Sequence, residues 1–193
     1  MTSARELKDR WSGERAAEAN RRIGLGAAPD IFGRTEAGYL DLRGLVLSHF
    51  FQNVSLEHVD LSFCGAKGAG QFMNCRLEDV IFERGEAPAK LYGRYLDCRF
   101  AKAKMKGVWL GGVFERCDFS GANLDNAGAE QVALRDCNFS GADLRRAHLC
   151  NCTFENCVWD GAKFGKGSFY RSRFVGAAPG DLEDTIMDRV VFE

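Results

Sequence analysis

The chain has no apolar run long enough to span a bilayer, and residues 1–30 contain no apolar core of a secretory signal. Both absences lead to the expectation of a cytoplasmic protein with no membrane partner. Net charge is also missing, since 26 Lys and Arg stand against 27 Asp and Glu, a formal −1. A chain so balanced has no general attraction for nucleic acid or anionic lipid, so no direct nucleic-acid contact is expected. No glycine loop has the spacing of a phosphate cradle. Histidine is scarce, with only His49, His58 and His148, far apart in the sequence. These do not combine with a nucleophile and an orienting group. No catalytic, cofactor-binding or metal-ligating residue is therefore assigned, no cofactor is expected, and the chain is read as not an enzyme.

What is present is a repeat. Residues 115–174 divide into the lines ERCDFSGANLDNAGAEQVAL, RDCNFSGADLRRAHLCNCTF and ENCVWDGAKFGKGSFYRSRF. SGANL at 120–124 returns as SGADL at 140–144 and as DGAKF at 160–164. Cys117, Cys137 and Cys157 share a column, as do Phe119, Phe139 and Trp159. A shorter period of five runs inside each line. A large apolar site recurs from Phe119 through Leu124, Leu134, Phe139 and Phe154 to Phe174, and a small site lies two residues before each, from Cys117 to Ser172. Spacing of two puts both on one side of an extended backbone. A period of five fits neither an amphipathic helix nor a long strand. It fits a short strand and a corner, and four corners close a coil. One coil cannot bury its inward residues alone, so coils stack, about 4.8 Å apart. The expected class is all-β, a four-sided parallel β-helix. Burying each large side chain is worth about 1.5–3 kcal/mol, against about 1–2 kcal/mol of ordering per backbone residue. A thin core therefore depends on dense repetition.

These A(N/D)L-type units with Phe or Leu at the centre resemble the pentapeptide-repeat family, over residues 39–174 and most closely after 114. The resemblance implies a right-handed, four-sided β-helix. With no chemistry in the residues, it leads to a non-catalytic protein-binding rod, acting as scaffold, adaptor or regulator. Gyrase-protecting, quinolone-resistance members of that family imitate duplex DNA with an acidic rod. The resemblance therefore raises a DNA-mimicking partner of DNA gyrase or another topoisomerase as the alternative. The charges oppose it. Residues 115–174 hold eight acids (115, 118, 125, 130, 136, 143, 155, 160) and eight bases (116, 135, 145, 146, 163, 166, 171, 173). Glu115, Arg135 and Glu155 fall at one-coil spacing, as do Arg116 and Asp136, and Asn123, Asp143 and Lys163, which predicts mutually neutralising faces.

Three segments follow in chain order. Residues 1–38 read as an N-terminal helix and a connector containing Pro29. Ser3 and Glu6 form a capping-box pattern, Glu6/Arg10 and Glu18/Arg22 are i,i+4 pairs, and Gly13 allows two short helices. Leu7, Trp11, Ala19 and Ile23 fit a lid over the first coil or an arm that binds a partner. Residues 39–174 carry the repeat, with a residue inserted near 66–71, a slip by one before Phe114 and a polar stretch, 83–90, containing Pro88. That stretch reads as a loop projecting from a corner, either functional or a tolerated insertion. Residues 175–193 form a closing or dimerisation segment. Leu182, Ile186 and Val190 suit a helix, whereas Leu182, Met187 and Phe192 suit an extra partial coil, favoured by the β-branched content.

The eight cysteines are 64, 75, 98, 117, 137, 150, 152 and 157. Most occupy small inward sites and act as small buried hydrophobes, so reduced thiols are expected. Cys150 faces outward. A last coil with open edges and exposed apolar side chains is expected to pair with a second copy, giving a homodimer through the C-terminal end.

Overall fold

The computed structural model describes residues 3–26, 30–66, 71–87 and 89–193. Pro29, Pro88 and most of the 66–71 insertion lie outside the described residues. The chain is a right-handed, four-sided parallel β-helix of about eight turns, headed by two short helices, α1 (Ala4–Asp9) and α2 (Gly13–Gly24).

Each side of the prism is a column of inward residues, here called sides A to D in the order the chain visits them. Side A stacks Phe82, Phe100, Phe119, Phe139 and Trp159, with successive ring centroids 5.1, 4.9, 5.0 and 4.7 Å apart. Side B holds Met105, Leu124, Leu144 and Phe164 beside the bridged column Lys104, Asn123, Asp143, Lys163. Side C aligns Phe51, Phe72, Leu91, Leu110 and Ala129. Side D aligns Leu56, Leu77, Tyr95, Phe114, Leu134, Phe154, Phe174 and Phe192. Near-parallel aromatic stacking follows from identical backbone environments one coil apart. Offset rings at this separation add to the area they bury.

Corners need a backbone in the left-handed region. Gly121, Gly141 and Gly161 supply it at one corner with φ of 62–68°. At the others non-glycine residues adopt it, among them Asn53, Asp79, Asn126, Asp136 and Asn151. Asn and Asp tolerate this region best among side-chain-bearing residues.

The N-terminal segment is a lid. The capping box between Ser3 and Glu6 forms as expected. Leu7, Trp11, Ala19 and Ile23 are buried. Arg10 turns away from Glu6 and grips Asp41 through Nη1 and Nη2 at 2.9 and 2.6 Å. Trp11 donates from Nε1 to the Arg43 carbonyl at 2.7 Å. Buried Asn20 donates to the Val46 carbonyl and accepts from the Ser48 amide, which continues the ladder into the lid. The lid therefore caps the first coil at Asp41, Arg43, Val46 and Ser48.

Three features of the register depart from the sequence reading or complete it. Residues 83–87 do not project as a loop. Glu86 donates its amide to the Cys64 carbonyl at 2.8 Å, and Lys104 donates to the Gly85 carbonyl at 2.8 Å. Ala87 packs against the core. The polar stretch is thus an ordinary side B whose inward residue is small. The slip before Phe114 has a twin one turn earlier: Leu91 to Tyr95 and Leu110 to Phe114 each span four positions where other turns span five. The tail is a further coil and not a helix, with Ile186 bridged to Ser168 and Val191–Phe192 paired with Arg173–Phe174.

Candidate interaction surface

The outward columns on sides B and D neutralise themselves. Arg135 Nε lies 3.2 Å from Glu155 Oε2, and Arg116 bridges Asp97 at 2.8 Å and Glu115 at 2.7 Å. On side B, Asp125 accepts from Lys106 at 3.0 Å and also pairs with Arg146, while Asp143 pairs with Arg145 at 2.6 Å rather than with Lys163. The hydrogen bonds from Arg146 and Lys106 hold the Asp125 carboxyl below its ordinary value. These sides present alternating charge and not a continuous field.

The thiols are structural. Cys98, Cys117, Cys137 and Cys157 form one buried column, and each Sγ donates to a backbone carbonyl of the preceding turn, those of Leu77, Tyr95, Phe114 and Leu134, at 3.4–3.5 Å. Burial pushes the Cys64 and Cys152 thiols up to about 12. All eight cysteines are free, and Cys150 alone is not fully buried. Among the described residues no group of three or more His, Cys, Asp or Glu has metal-binding geometry. No helix among them is long and apolar enough to cross a membrane.

His49 Nδ1 lies 3.2 Å from the hydroxyl of its sequence neighbour Ser48. His58 joins a larger cluster. Its Nδ1 lies 2.8 Å from Asp79 Oδ2, Tyr39 donates its hydroxyl to the same carboxylate at 2.7 Å, and Arg99 donates to the Tyr39 oxygen at 2.7 Å. The bond to Asp79 raises the Tyr39 pKa. The cluster ties the connector before Leu40 to two turns of the prism. Sequence reading missed it, although His58, Asp79 and Arg99 sit close to one-coil spacing and so had to meet at one corner.

Side C differs from sides B and D. Over its first turns the outward residues are Phe50, Gln71, Lys90 and Trp109 in one column and Gln52, Met73, Tyr92 and Gly111 in the next. Lys90 is the single charge among them. Phe50 is 52% and Trp109 41% exposed. The Trp109 and Tyr92 rings are both backed by main chain. A Cβ placed on Gly128 would sit 2.2 Å from the Trp109 ring, and one on Gly111 2.4 Å from that of Tyr92, so each ring lies against the glycine of the next turn. Where side C meets side D, the shortened turns leave a notch of about 550 Å³. A second apolar exposure, Ile186, Val191 and Phe192, lies on the last coil.

Residues 111–178 match the family model of the pentapeptide repeat region. Among solved structures, the chain is similar to a trypsin-treated variant of QnrB1, a plasmid-mediated fluoroquinolone resistance protein. The two are 18% identical over 79% of this chain and 75% of that one, with a TM-score of 0.46. It is also similar to Rfr23, a pentapeptide repeat protein from the cyanobacterium Cyanothece 51142 (16%, covering 62% and 90%, TM-score 0.30). A third is HetL from Nostoc sp. strain PCC 7120, a pentapeptide repeat protein involved in heterocyst differentiation regulation (15%, covering 75% and 87%, TM-score 0.29). No curated protein matches the sequence.

Proposed function

We propose that this pentapeptide-repeat solenoid is a non-catalytic, cytoplasmic protein-binding rod, a scaffold, adaptor or regulator that docks its partner on side C. The observation that carries the reading is the contrast between sides. Sides B and D spend their outward charges on each other, while the first turns of side C expose Phe50 and Trp109 around a single lysine. Apolar and aromatic surface with few charges is what distinguishes the core of a protein interface. A photoreactive amino acid at position 109 should crosslink a discrete protein in the native host, and one at 145 should not. Equal crosslinking from both positions, or none from 109, overturns the reading.

The alternative, a DNA-mimicking partner of DNA gyrase or another topoisomerase, is favoured only by the acidic tail, where Asp181, Glu183, Asp184, Asp188 and Glu193 face a single Arg189. Neutralised columns along the rest of the prism make a poor imitation of duplex phosphate. A supercoiling assay, with and without a quinolone, decides it: neither inhibition nor protection at micromolar protein removes this reading.

A homodimer through the last coil is part of the proposal. Ile186, Val191 and Phe192 are 58%, 47% and 53% exposed there, and a two-fold contact covers them in both copies without propagating. The acidic tail then meets its own copy, so the dimer strengthens with ionic strength. Light scattering should give twice the chain mass, falling to one in Phe192→Glu. A monomer at every salt concentration overturns the contact.

A further inference from the structure

We propose that the notch between sides C and D is the anchor pocket of the docking surface, and that it takes an acidic residue flanked by an apolar or aromatic one on an exposed segment of a partner protein. The inference rests on the protein-binding reading above and names the chemistry of the partner.

The notch is built by backbone. In the turns holding Leu91 and Leu110 the corner residue is left out, and the strands Lys90–Leu96 and Trp109–Glu115 bend through the corner with one residue fewer than the strand Gln71–Ile81 of the turn before. Gly93 and Gly112 make the bend possible, with φ of 154° and 93°. A Cβ on Gly93 would lie 2.0 Å from the Cys75 carbonyl oxygen, and one on Gly112 2.1 Å from that of Gly93. Only glycine fits, so the floor of the notch is bare main chain. The turn before it, Phe72 to Leu77, keeps the full corner and lines the notch with Met73, Asn74, Cys75 and Arg76.

The lining has two chemistries. Met73 and Tyr92, both half-buried, form an apolar wall, and Gln52 and Asn74 add amides. On the side D rim stand Arg76 and Arg94, and no carboxylate lines the notch. The two guanidiniums have partners outside it, Glu78 at 3.0 Å and Glu115 at 3.6 Å. Their side chains are 59% and 60% exposed, and exposed ion pairs of this kind are weak and exchange readily. A carboxylate entering the notch meets two arginines, each able to form the paired N–H···O bonds that make Arg–carboxylate contacts strong. The apolar wall beside them calls for an apolar or aromatic neighbour.

A partner protein fits better than a free small acid. The notch opens along the prism beside Phe50 and Trp109, which an isolated ligand leaves in water. A stable interface buries about 800 Å² on each partner, more than the notch supplies, and the flank of side C provides the remainder. Interfaces commonly concentrate their energy in such a pocket near the centre, with near-neutral contacts around it.

The experiment is selection of a random heptapeptide phage library on the immobilised full chain. The enriched peptides are then made synthetically and titrated by fluorescence polarisation. The expected consensus places Asp or Glu next to an aromatic or aliphatic residue. Binding should weaken at least tenfold in Arg76→Glu/Arg94→Glu. It should also weaken in Gln52→Trp, which narrows the notch and leaves every charge in place, so that loss of fold and loss of site are told apart. No enrichment, a consensus without an acidic residue, or binding to either variant as tight as to the unsubstituted chain overturns the proposal. Peptides that lose affinity only in Phe50→Ala/Trp109→Ala leave side C as the docking surface and move the anchor out of the notch.

Discussion

Residues 114–174 and residues 39–113 share one core and differ in surface. In the later part every turn has the same length, one corner is glycine in each turn (Gly121, Gly141 and Gly161), and Phe114, Phe119, Phe139, Phe154 and Phe174 are all at most 1% exposed. The earlier part is equally well buried, with Phe51, Phe72, Phe82, Tyr95 and Phe100 at 0%. Yet it loses a residue at the corners after Leu91 and Leu110, and carries on its outside Phe50, Trp109 and the His58–Asp79–Tyr39–Arg99 cluster. Regularity is therefore not what stability requires. Inward alternation suffices, and the corners are free to lose a residue if glycine takes up the strain. Departures from the repeat are where a solenoid acquires a shape that a partner can read.

The largest effect tests the shared core. Phe139→Ala removes a ring held between Phe119 and Trp159 at 5.0 and 4.7 Å. With stacked turns above and below, the site has little room to collapse, and the expected loss is about 3–5 kcal/mol in urea denaturation. Arg145→Ala on the same part of the prism, an exposed side chain paired with half-buried Asp143, should leave the midpoint unchanged. Equal shifts for the two would overturn the inward and outward assignment.

Next in size is a glycine pair. Gly112→Ala meets backbone at 2.1 Å in a left-handed conformation, whereas Gly141→Ala has the same kind of φ, 68°, and nothing within 4 Å. The first should cost about 2–4 kcal/mol, adding overpacking to strain. The second should cost about 1 kcal/mol. If the two variants melt together, the shortened corners are not the tight points of the prism.

The lid gives an intermediate effect with a pH signature. Burial works to raise the Asp41 carboxyl, but hydrogen bonds from Arg43 and Arg10 outweigh it and hold Asp41 well below the usual carboxylate range. A carboxyl depressed in the folded state contributes stability that is present above its unfolded value, near 4. That stability is lost as pH falls through the folded value. Trp11 fluorescence should therefore report loosening of the lid only in strong acid. Asp41→Asn should loosen it at neutral pH by about 1–3 kcal/mol, read as faster amide exchange at Leu7. An unchanged acid profile in that variant would remove the clamp.

How much of this was legible followed the same division. Residues 115–174 announced their geometry because each environment recurs with the same residue in it, so Phe119, Phe139 and Trp159 identify one another. The lid was legible from Ser3, Glu6, Leu7 and Trp11 because helix starts have local chemistry. Leu91 and Tyr95 went unread because the turn between them is one residue short, and a period search steps past it. Residues 83–87 looked like a loop because alanine at the inward site carries too little apolar signal against four charged neighbours, Glu83, Arg84, Glu86 and Lys90. The notch was invisible in principle. It is made by what Gly93 and Gly112 lack, and only the carbonyl a Cβ would strike gives those glycines meaning.

The smallest predicted effect sharpens the comparison from inside the core. Side D is filled by Phe114, Leu134, Phe154 and Phe174, but its place in the irregular part is taken by Tyr95. The ring stacks on Phe114 with centroids 4.5 Å apart and an interplanar angle of 4°. Its hydroxyl is buried and has no hydrogen-bond partner among the described residues. Burial pushes the phenol well above its ordinary pKa, so it stays neutral across the accessible pH range. A hydroxyl taken out of water with nothing to bond is a net loss, and removing it without changing the ring returns that loss. Tyr95→Phe should therefore raise the stability, by about 1 kcal/mol, with no change in the slope of the urea transition. The gain also bears on the site. Tyr95 follows Arg94 on the strand that floors the notch, and a phenylalanine there completes the aromatic column without touching the rim. If the variant is instead less stable, the Tyr95 hydroxyl has a bonding partner in solution, such as a water entering beside Gly93, and the irregular part of the core is wetter than the regular one.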